Sequence, residues 1–192
     1  MKKMLEGIKV IDLSRNLAAP FCTMILADLG AEVIKVEAPE TGDDARGYGP
    51  IIKGKSGYFI SINRGKKSVT LNLKDEEDRE KLAKLIRDAH VMVDNFRPGV
   101  LDRLGITQEW VDSINPKLIF TSITGFGHTG PYRTKAAYDL VVQGYGGLMS
   151  VTGEPGSKPT RVGVSIGDLA AGLYAAIGII GALYAGTKTG LG

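Results

Sequence analysis

Apolar and polar positions follow two different periods along the first two thirds of the chain. Residues 7–13 (GIKVIDL) are rich in β-formers and predict a strand. Residues 14–20 predict a turn, and residues 21–29 a helix with Gly30 just past its end. A second strand is predicted over 31–37 (AEVIKVE), and three more over 68–73 (SVTLNL), 90–96 (HVMVDNF) and 118–126 (LIFTSITGF). Between them, residues 74–89 carry an amphipathic helical pattern that opens on acidic side chains. One short helix is predicted around Leu101, Arg103 and Leu104. Another starts at Thr107 or Gln108 and stops before Asn115-Pro116. Strands alternating with helices predict an α/β fold, a doubly wound and mostly parallel sheet with right-handed crossovers. Such sheets bind ligands beyond the carboxyl ends of their strands. The loops after Leu13, Glu37, Leu73, Asn95 and Thr124 are therefore where a site is expected.

Two stretches depart from this alternation. Residues 38–65 are rich in glycine and proline but also hold Tyr48, Tyr58 and Phe59, which predicts a packed segment with short structure of its own. Residues 161–186 (RVGVSIGDLAAGLYAAIGIIGALYAG) are almost wholly apolar after a single carboxylate, Asp168. The uncharged run 169–186 is just long enough to span a bilayer, and Gly178, Ala182 and Gly186 are spaced for close helix packing in lipid. Its place after a charged α/β pattern favours a buried helix of a soluble domain. Asp168, opening that helix, reads either as an N-cap or as a carboxylate nucleophile or base held by a rigid element. A helix N-terminus favours its ionised form.

Composition narrows the chemistry. The 192 residues carry a net charge of +3, too weak a balance to argue for a nucleic-acid partner. The single cysteine, Cys22, excludes an internal disulfide framework and a multi-cysteine zinc site, and its apolar surroundings predict a buried thiol. Two scattered histidines have no ligand spacing, so no metal is expected. The first residues include two lysines without a long apolar run, which is not a secretory signal; the expected compartment is cytoplasmic.

Other candidate groups are weaker. The turn 14–20 has no glycine, so the dinucleotide-binding fingerprint is missing from the first βαβ unit. Residues 125–130 match G-x-G-x-x-G only formally, and a glycine-rich wall beside a ligand is the better reading. His128 reads as a polar surface residue. Ser165, His128 and Asp168 supply the residue types of a hydrolase triad without its G-x-S-x-G elbow. Arg97 and Arg103 suit a phosphate clamp. Arg64, Lys66 and Lys67 read as a solvated surface or as an anion contact.

The motifs add up to a resemblance. Leu5-Glu6-Gly7, residues 10–14, Ala19-Pro20 and residues 26–37 are similar to the opening of the class III CoA-transferases, of the formyl-CoA and carnitine CoA-transferase type. Residues 63–68, Asp94-Asn95-Phe96-Arg97-Pro98-Gly99, Gly125-Phe126-Gly127, Gly130-Pro131, Tyr138-Asp139 and Gly167-Asp168 continue it in family order. The resemblance implies a Rossmann-like domain lacking the dinucleotide glycines. It also implies coenzyme A or acyl-CoA as substrate with no tightly bound cofactor, and a carboxylic acid as second substrate; from charge and the helix's context, no nucleic-acid or membrane partner is expected. Asp168 is the implied nucleophile. The implied CoA contacts are Asn16, Leu17, Leu71, Asn72, Leu73, Lys74, Asn95, Phe96, Arg97 and Arg103, and Gly127 and Tyr138 belong to the substrate pocket. Backbone N–H groups of glycines near Asp168 are expected to stabilise oxyanions. Ala38 departs from relatives that carry arginine there.

A racemase branch of the family has a histidine at the place of Tyr138. Tyrosine is a poor proton shuttle at neutral pH, so transfer is favoured over racemisation. A non-catalytic CoA-binding module is the remaining alternative. Family members are about twice as long, so residues 1–192 are expected to be the N-terminal part of the large domain. The small domain and a returning C-terminal segment would come from elsewhere, from an interlocked homodimer of the complete enzyme or a complementary chain. Alone, the chain is expected to be nearly inactive.

Overall fold

The computed structural model describes residues 3–190, which excludes the first of the two N-terminal lysines. The chain runs β1 (Lys9–Asp12), α1 (Ala18–Asp28), β2 (Glu32–Glu37), β3 (Ile51–Ile52), β4 (Lys55–Ser56), α2 (Gly57–Asn63), β5 (Lys67–Thr70), α3 (Glu76–Arg87), β6 (Val91–Asp94), α4 (Val100–Arg103), α5 (Gln108–Ile114), β7 (Ile119–Ser122), α6 (Asp139–Tyr145) and α7 (Ile166–Thr189). Five strands form one sheet in the order β5-β2-β1-β6-β7, every neighbour parallel. The order reverses at β1, so the switch point lies between β1 and β6, where doubly wound sheets open a crevice.

Alternation along the strands divides the core into two layers. Val10, Val33, Val91 and Val93 face α1 and α7, packing on Ala19, Cys22, Leu26, Ala176 and Ile179. Ile11, Val36 and Met92 face the other side, against Leu82 and Ile86 of α3 and Val111 of α5. The pattern follows from the period of two in a strand.

Helix α1 starts at Ala18, three residues before the predicted start. Pro20 falls in its first turn, where a missing N–H leaves nothing unsatisfied. The segment 38–65 is structured as expected: a short 3-10 turn at Asp44–Gly47, the β3–β4 hairpin, and α2 capped by Ser56 Oγ accepting from Phe59 N at 3.0 Å. Helix α6 has no counterpart in the predicted elements.

The apolar helix α7 differs most from expectation. Only Gly172, Ala176 and Ile179 are buried. Gly172 lies so close to α1 that a Cβ there would sit 2.5 Å from Ala18 O. The opposite face is open, with Tyr174 76 %, Ile177 64 % and Tyr184 63 % exposed. By length and composition α7 also meets the requirement for crossing a membrane. The expectation of a buried helix fails because one face of a long helix saturates the space above β1, β6 and β7. Among the described residues no element covers the opposite face.

Candidate functional site

Two loops cross at the switch point and are tied together there. Asn95, just past β6, accepts from Arg15 N at 2.9 Å and donates Nδ2 to Arg15 O at 2.8 Å. The Asn95 side chain is thus a clasp between the β1 and β6 loops. Arg15 in turn lies over the Phe96 ring at 5.2 Å. Asn16 takes the left-handed conformation (φ 64°), and its N–H bonds Asp43 Oδ1 at 3.0 Å, while its own buried Oδ1 has no partner.

Charges buried beneath these loops hold them. Lys35 and Asp43 form an ion pair at 2.9 Å, both inaccessible, and Lys35 Nζ also donates to Ser14 O at 2.7 Å. Asp12, at the end of β1, pairs with Lys66 at 2.9 Å and accepts from Thr23 Oγ1 at 2.7 Å. Burial pushes the Asp12 carboxyl up, but Lys66, Lys35, Ser14 and Thr23 outweigh it and hold it at about 2. Burial pulls Lys66 below its ordinary value despite Asp12. Lys66 is therefore neither a solvated surface group nor an anion contact. Its neighbours Arg64 and Lys67 pair with Asp28 and Glu32. Cys22 is buried as predicted, its thiol pushed up to about 12 by burial and then by Asp12.

Two hollows open on this edge and share Phe96 in their walls. The first is lined by Arg15, Ala38, Gly42, Leu71, Asn72, Leu73, Lys74 and Phe96. Asn72 is held there by its N–H bonding Asp78 Oδ2 of α3 at 2.7 Å and its Nδ2 bonding Asp75 Oδ2 at 2.8 Å. The second, a cleft of about 290 Å³, is lined by Asn16, Leu17, Asn95, Phe96, Arg97, Arg133, Lys135, Tyr138 and Asp168, among others. The fold thus gathers nearly all the implied residues on two adjoining surfaces. Two are not gathered. Arg103 borders neither hollow, its guanidinium lying instead near Gly99. Gly127 lies in the open, and the wall glycine is Gly125, where a Cβ would collide with the Ala137 methyl.

Asp168 is not the N-cap of α7. That position is Ser165, and Asp168 sits in the first turn. Its pKa is raised to about 6, by burial first and by the Asp139 carboxylate second. This opposes the dipole-based expectation: loss of water and a like charge outweigh the helix end. At pH 7 the group is still roughly nine-tenths ionised. Gly167 N–H bonds Asp139 Oδ1 at 2.8 Å, so this glycine amide is occupied and is not a free oxyanion donor.

His128 borders a separate cavity with Asp94 and Ser122, away from Asp168, so the triad residue types do not converge. Among the described residues no three His, Cys, Asp or Glu side chains are placed to hold a metal ion. Sequence reasoning missed Arg15, Arg133, Lys135 and Asp139 as site residues. Arg15 carried a signal, standing in the loop just after a predicted strand. Arg133 and Lys135 carried none, because the path of residues 125–138 back over the sheet has no periodicity to read.

A family model described as CoA-transferase family III matches residues 5–192. Among curated proteins, the chain is 51% identical over 188 residues to acetyl-CoA:oxalate CoA-transferase of Acetobacter aceti, covering 97% of this chain and 48% of that protein. It is 48% identical over 191 residues to human succinyl-CoA:glutarate CoA-transferase, covering 99% of this chain and 44% of the relative. A crystal structure of a CAIB/BAIF family protein from Brucella suis superposes with a TM-score of 0.95 at 47% identity, over 100% of this chain and 52% of that one. The chain thus spans about half the length of the curated relatives it matches.

Proposed function

The chain belongs to CoA-transferase family III, whose members use CoA thioesters as substrates, and from that premise we propose that it carries the nucleophile and most of the CoA cradle of an enzyme moving CoA between carboxylic acids. The observation that carries this reading is the placement of Asp168. It is half-buried in the first turn of a rigid helix, at one wall of a cleft that adjoins the Leu71–Lys74 hollow across Phe96.

In this reading CoA lies along that edge. Its nucleotide end occupies the hollow of Leu71, Asn72, Leu73, Lys74 and Arg15, and its thioester reaches the cleft past Asn16, Leu17, Asn95 and Arg97. Ala38, with its short side chain, lies on the wall of the hollow. Arg97, Arg133 and Lys135 give the cleft a positive field that suits a carboxylate substrate beside Tyr138.

The chemistry proceeds by covalent exchange. An ionised Asp168 oxygen attacks the thioester carbonyl, the C–S bond breaks, and CoA leaves as thiolate from a mixed anhydride. The thiolate attacks the Asp168 carbonyl of the anhydride, forming an aspartyl thioester and releasing the donor acid as carboxylate. The acceptor carboxylate then attacks the aspartyl carbonyl and expels thiolate. That thiolate takes the acceptor acyl group and frees Asp168. A pKa raised to about 6 makes the carboxylate more basic than an exposed one while leaving it ionised at neutral pH.

The chain spans about half the length of these relatives, and we propose transfer as the activity of the complete enzyme, in an interlocked dimer. The open face of α7 supports this reading, since it leaves a broad apolar surface to be covered. The test is to incubate the complete assembly with acyl-CoA and trap with hydroxylamine or borohydride. Modification at Asp168, and loss of transfer in Asp168→Ala, is the expected outcome. A label elsewhere overturns the assignment. Full transfer by Asp168→Ala with CoA still bound identifies a binding module instead.

A further inference from the structure

One buried polar pair has no part in that exchange. Gln143 is 2 % exposed and Asp139 9 %, both on α6. Gln143 Nε2 donates to Asp139 Oδ2 at 2.6 Å, and Gln143 Oε1 accepts from Val162 N at 2.8 Å. The other oxygen of Asp139 accepts from Gly167 N at 2.8 Å. The direction of every bond is forced, because a carboxylate only accepts and a backbone N–H only donates. An amide is the group that offers a donor to one and an acceptor to the other at this length of side chain.

The result is a bracket. It starts at the backbone of residue 162, passes through Gln143 and Asp139, and ends at residue 167. One end lies in the segment that leads into α7 and the other in its first turn, where Gly167 immediately precedes Asp168. Ser165, the N-cap, makes no capping bond of its own. The first turn of α7 is therefore capped by a carboxylate from another helix, a role that normally falls to the N-cap side chain. Gly167 permits the approach: a Cβ there would meet Asp139 Oδ1 at 3.1 Å and Val142 Cγ1 at 3.3 Å.

The geometry points to Gln143 as a positioning residue for CoA transfer, which locks Asp139 onto the Gly167 N–H and so fixes the first turn of α7 and the aim of the Asp168 carboxylate. This rests on Asp168 being the nucleophile. Gln143 touches no reacting atom; it acts through Asp139 and through its own bonds to Val162 N and Val164 O, just ahead of α7. Misplacement of a nucleophile by about 1 Å costs on the order of a hundredfold in rate, so a buried amide two bonds removed is within reach of kcat.

The test uses two variants of near-native shape, Gln143→Met and Asp139→Asn, and the double variant. The charged and titratable groups around Asp168 are Asp139 from α6, Tyr58 from α2, and Arg97, Arg133, Lys135 and Tyr138 lining the cleft. Only the first is altered. In the complete enzyme, Gln143→Met is expected to lower kcat roughly tenfold to a hundredfold with the acyl-CoA KM nearly unchanged. The double variant is expected to lose less than the product of the two single losses, because both residues hold the same short segment. Hydrogen exchange at the Gly167 amide is expected to quicken in Gln143→Met. The Asp168 titration, followed by carboxyl ¹³C NMR, is expected to move down from about 6 in Asp139→Asn.

Lowered thermal stability with kcat, Gly167 exchange and the Asp168 titration all unchanged would show a purely structural pair and overturn the proposal. Additive kcat losses in the double variant would overturn it too. Where Gln143→Met does not fold, Asp139→Asn carries the exchange and titration readouts. Those two readouts need no turnover. If Asp168→Ala proves fully active, the nucleophile assignment falls while the bracket is still measured.

Discussion

At the scale of single residues, two aspartates show how burial acts in opposite directions. Asp12 is fully buried but carries Lys66 beside it, so its carboxyl lies below the ordinary value. Its contribution to stability is present above the unfolded pKa near 4 and is lost as pH falls toward 2. Lys66→Met leaves Asp12 buried without its partner. We expect a loss of about 3–5 kcal/mol at pH 7, read from urea unfolding, and a smaller loss when Asp12→Leu is added. Asp168 carries no such partner and lies above the ordinary value. Its contribution is fully present below the unfolded pKa and is lost as pH rises through about 6. Asp168→Asn is therefore expected to stabilise the fold at pH 7 by about 1 kcal/mol, after allowing for solvent screening of a half-buried group, with no gain at pH 4. An equal effect at both pH values would contradict the raised pKa.

At the scale of elements, the contact between α1 and α7 sets the site. The backbone of α1 approaches α7 at Gly172, one turn after Asp168. Gly172→Ala gains helix propensity of about 1 kcal/mol but drives a methyl into Ala18 O and the Phe21 ring. We expect a net destabilisation of about 1–3 kcal/mol by thermal unfolding. CoA binding by the complete protein should weaken as well, because Asn16 and Leu17 lead into α1. The elements of the sheet and its covering helices were readable from local pattern, since β1, β2, β6 and β7 fall in short runs of β-formers, residues 68–73 alternate, and α3 has an amphipathic stripe. Helix α6 was not readable. It has seven residues, mostly exposed on its apolar side, and its two buried positions are Asp139 and Gln143, so it carries no hydrophobic period. That inversion, polar inside and apolar outside, belongs to a segment built around a site.

At the scale of the whole molecule, the open face of α7 is the dominant feature. Leu173, Tyr174, Ile177, Ile180 and Tyr184 form an exposed apolar stripe. Stripes of this kind on a folded chain mark an interface. The chain is expected to sediment as a dimer or larger at micromolar concentration. Tyr174→Glu with Ile177→Glu should yield a monomer with unchanged far-ultraviolet circular dichroism. A wild-type monomer at such concentrations would contradict the interface.

The residue pattern alone determined the layer architecture, the edge of the sheet where a site was expected, and the family resemblance, because strand and helix patterns and short motifs are local properties written in neighbouring residues. It also marked Asp168, as the one carboxylate opening an apolar helix. Tertiary structure decided what lies around that carboxylate. It brought Asp139, Arg133 and Lys135 beside it from segments tens of residues away, with Gln143 held behind Asp139, left Gly127 and Arg103 outside the two hollows, and turned Lys66 inward to Asp12. It also left half of α7 uncovered. The physical reason is common to all of these. Burial, charge proximity and the loss of water depend on which distant groups share one small volume, and no periodicity along the chain encodes that.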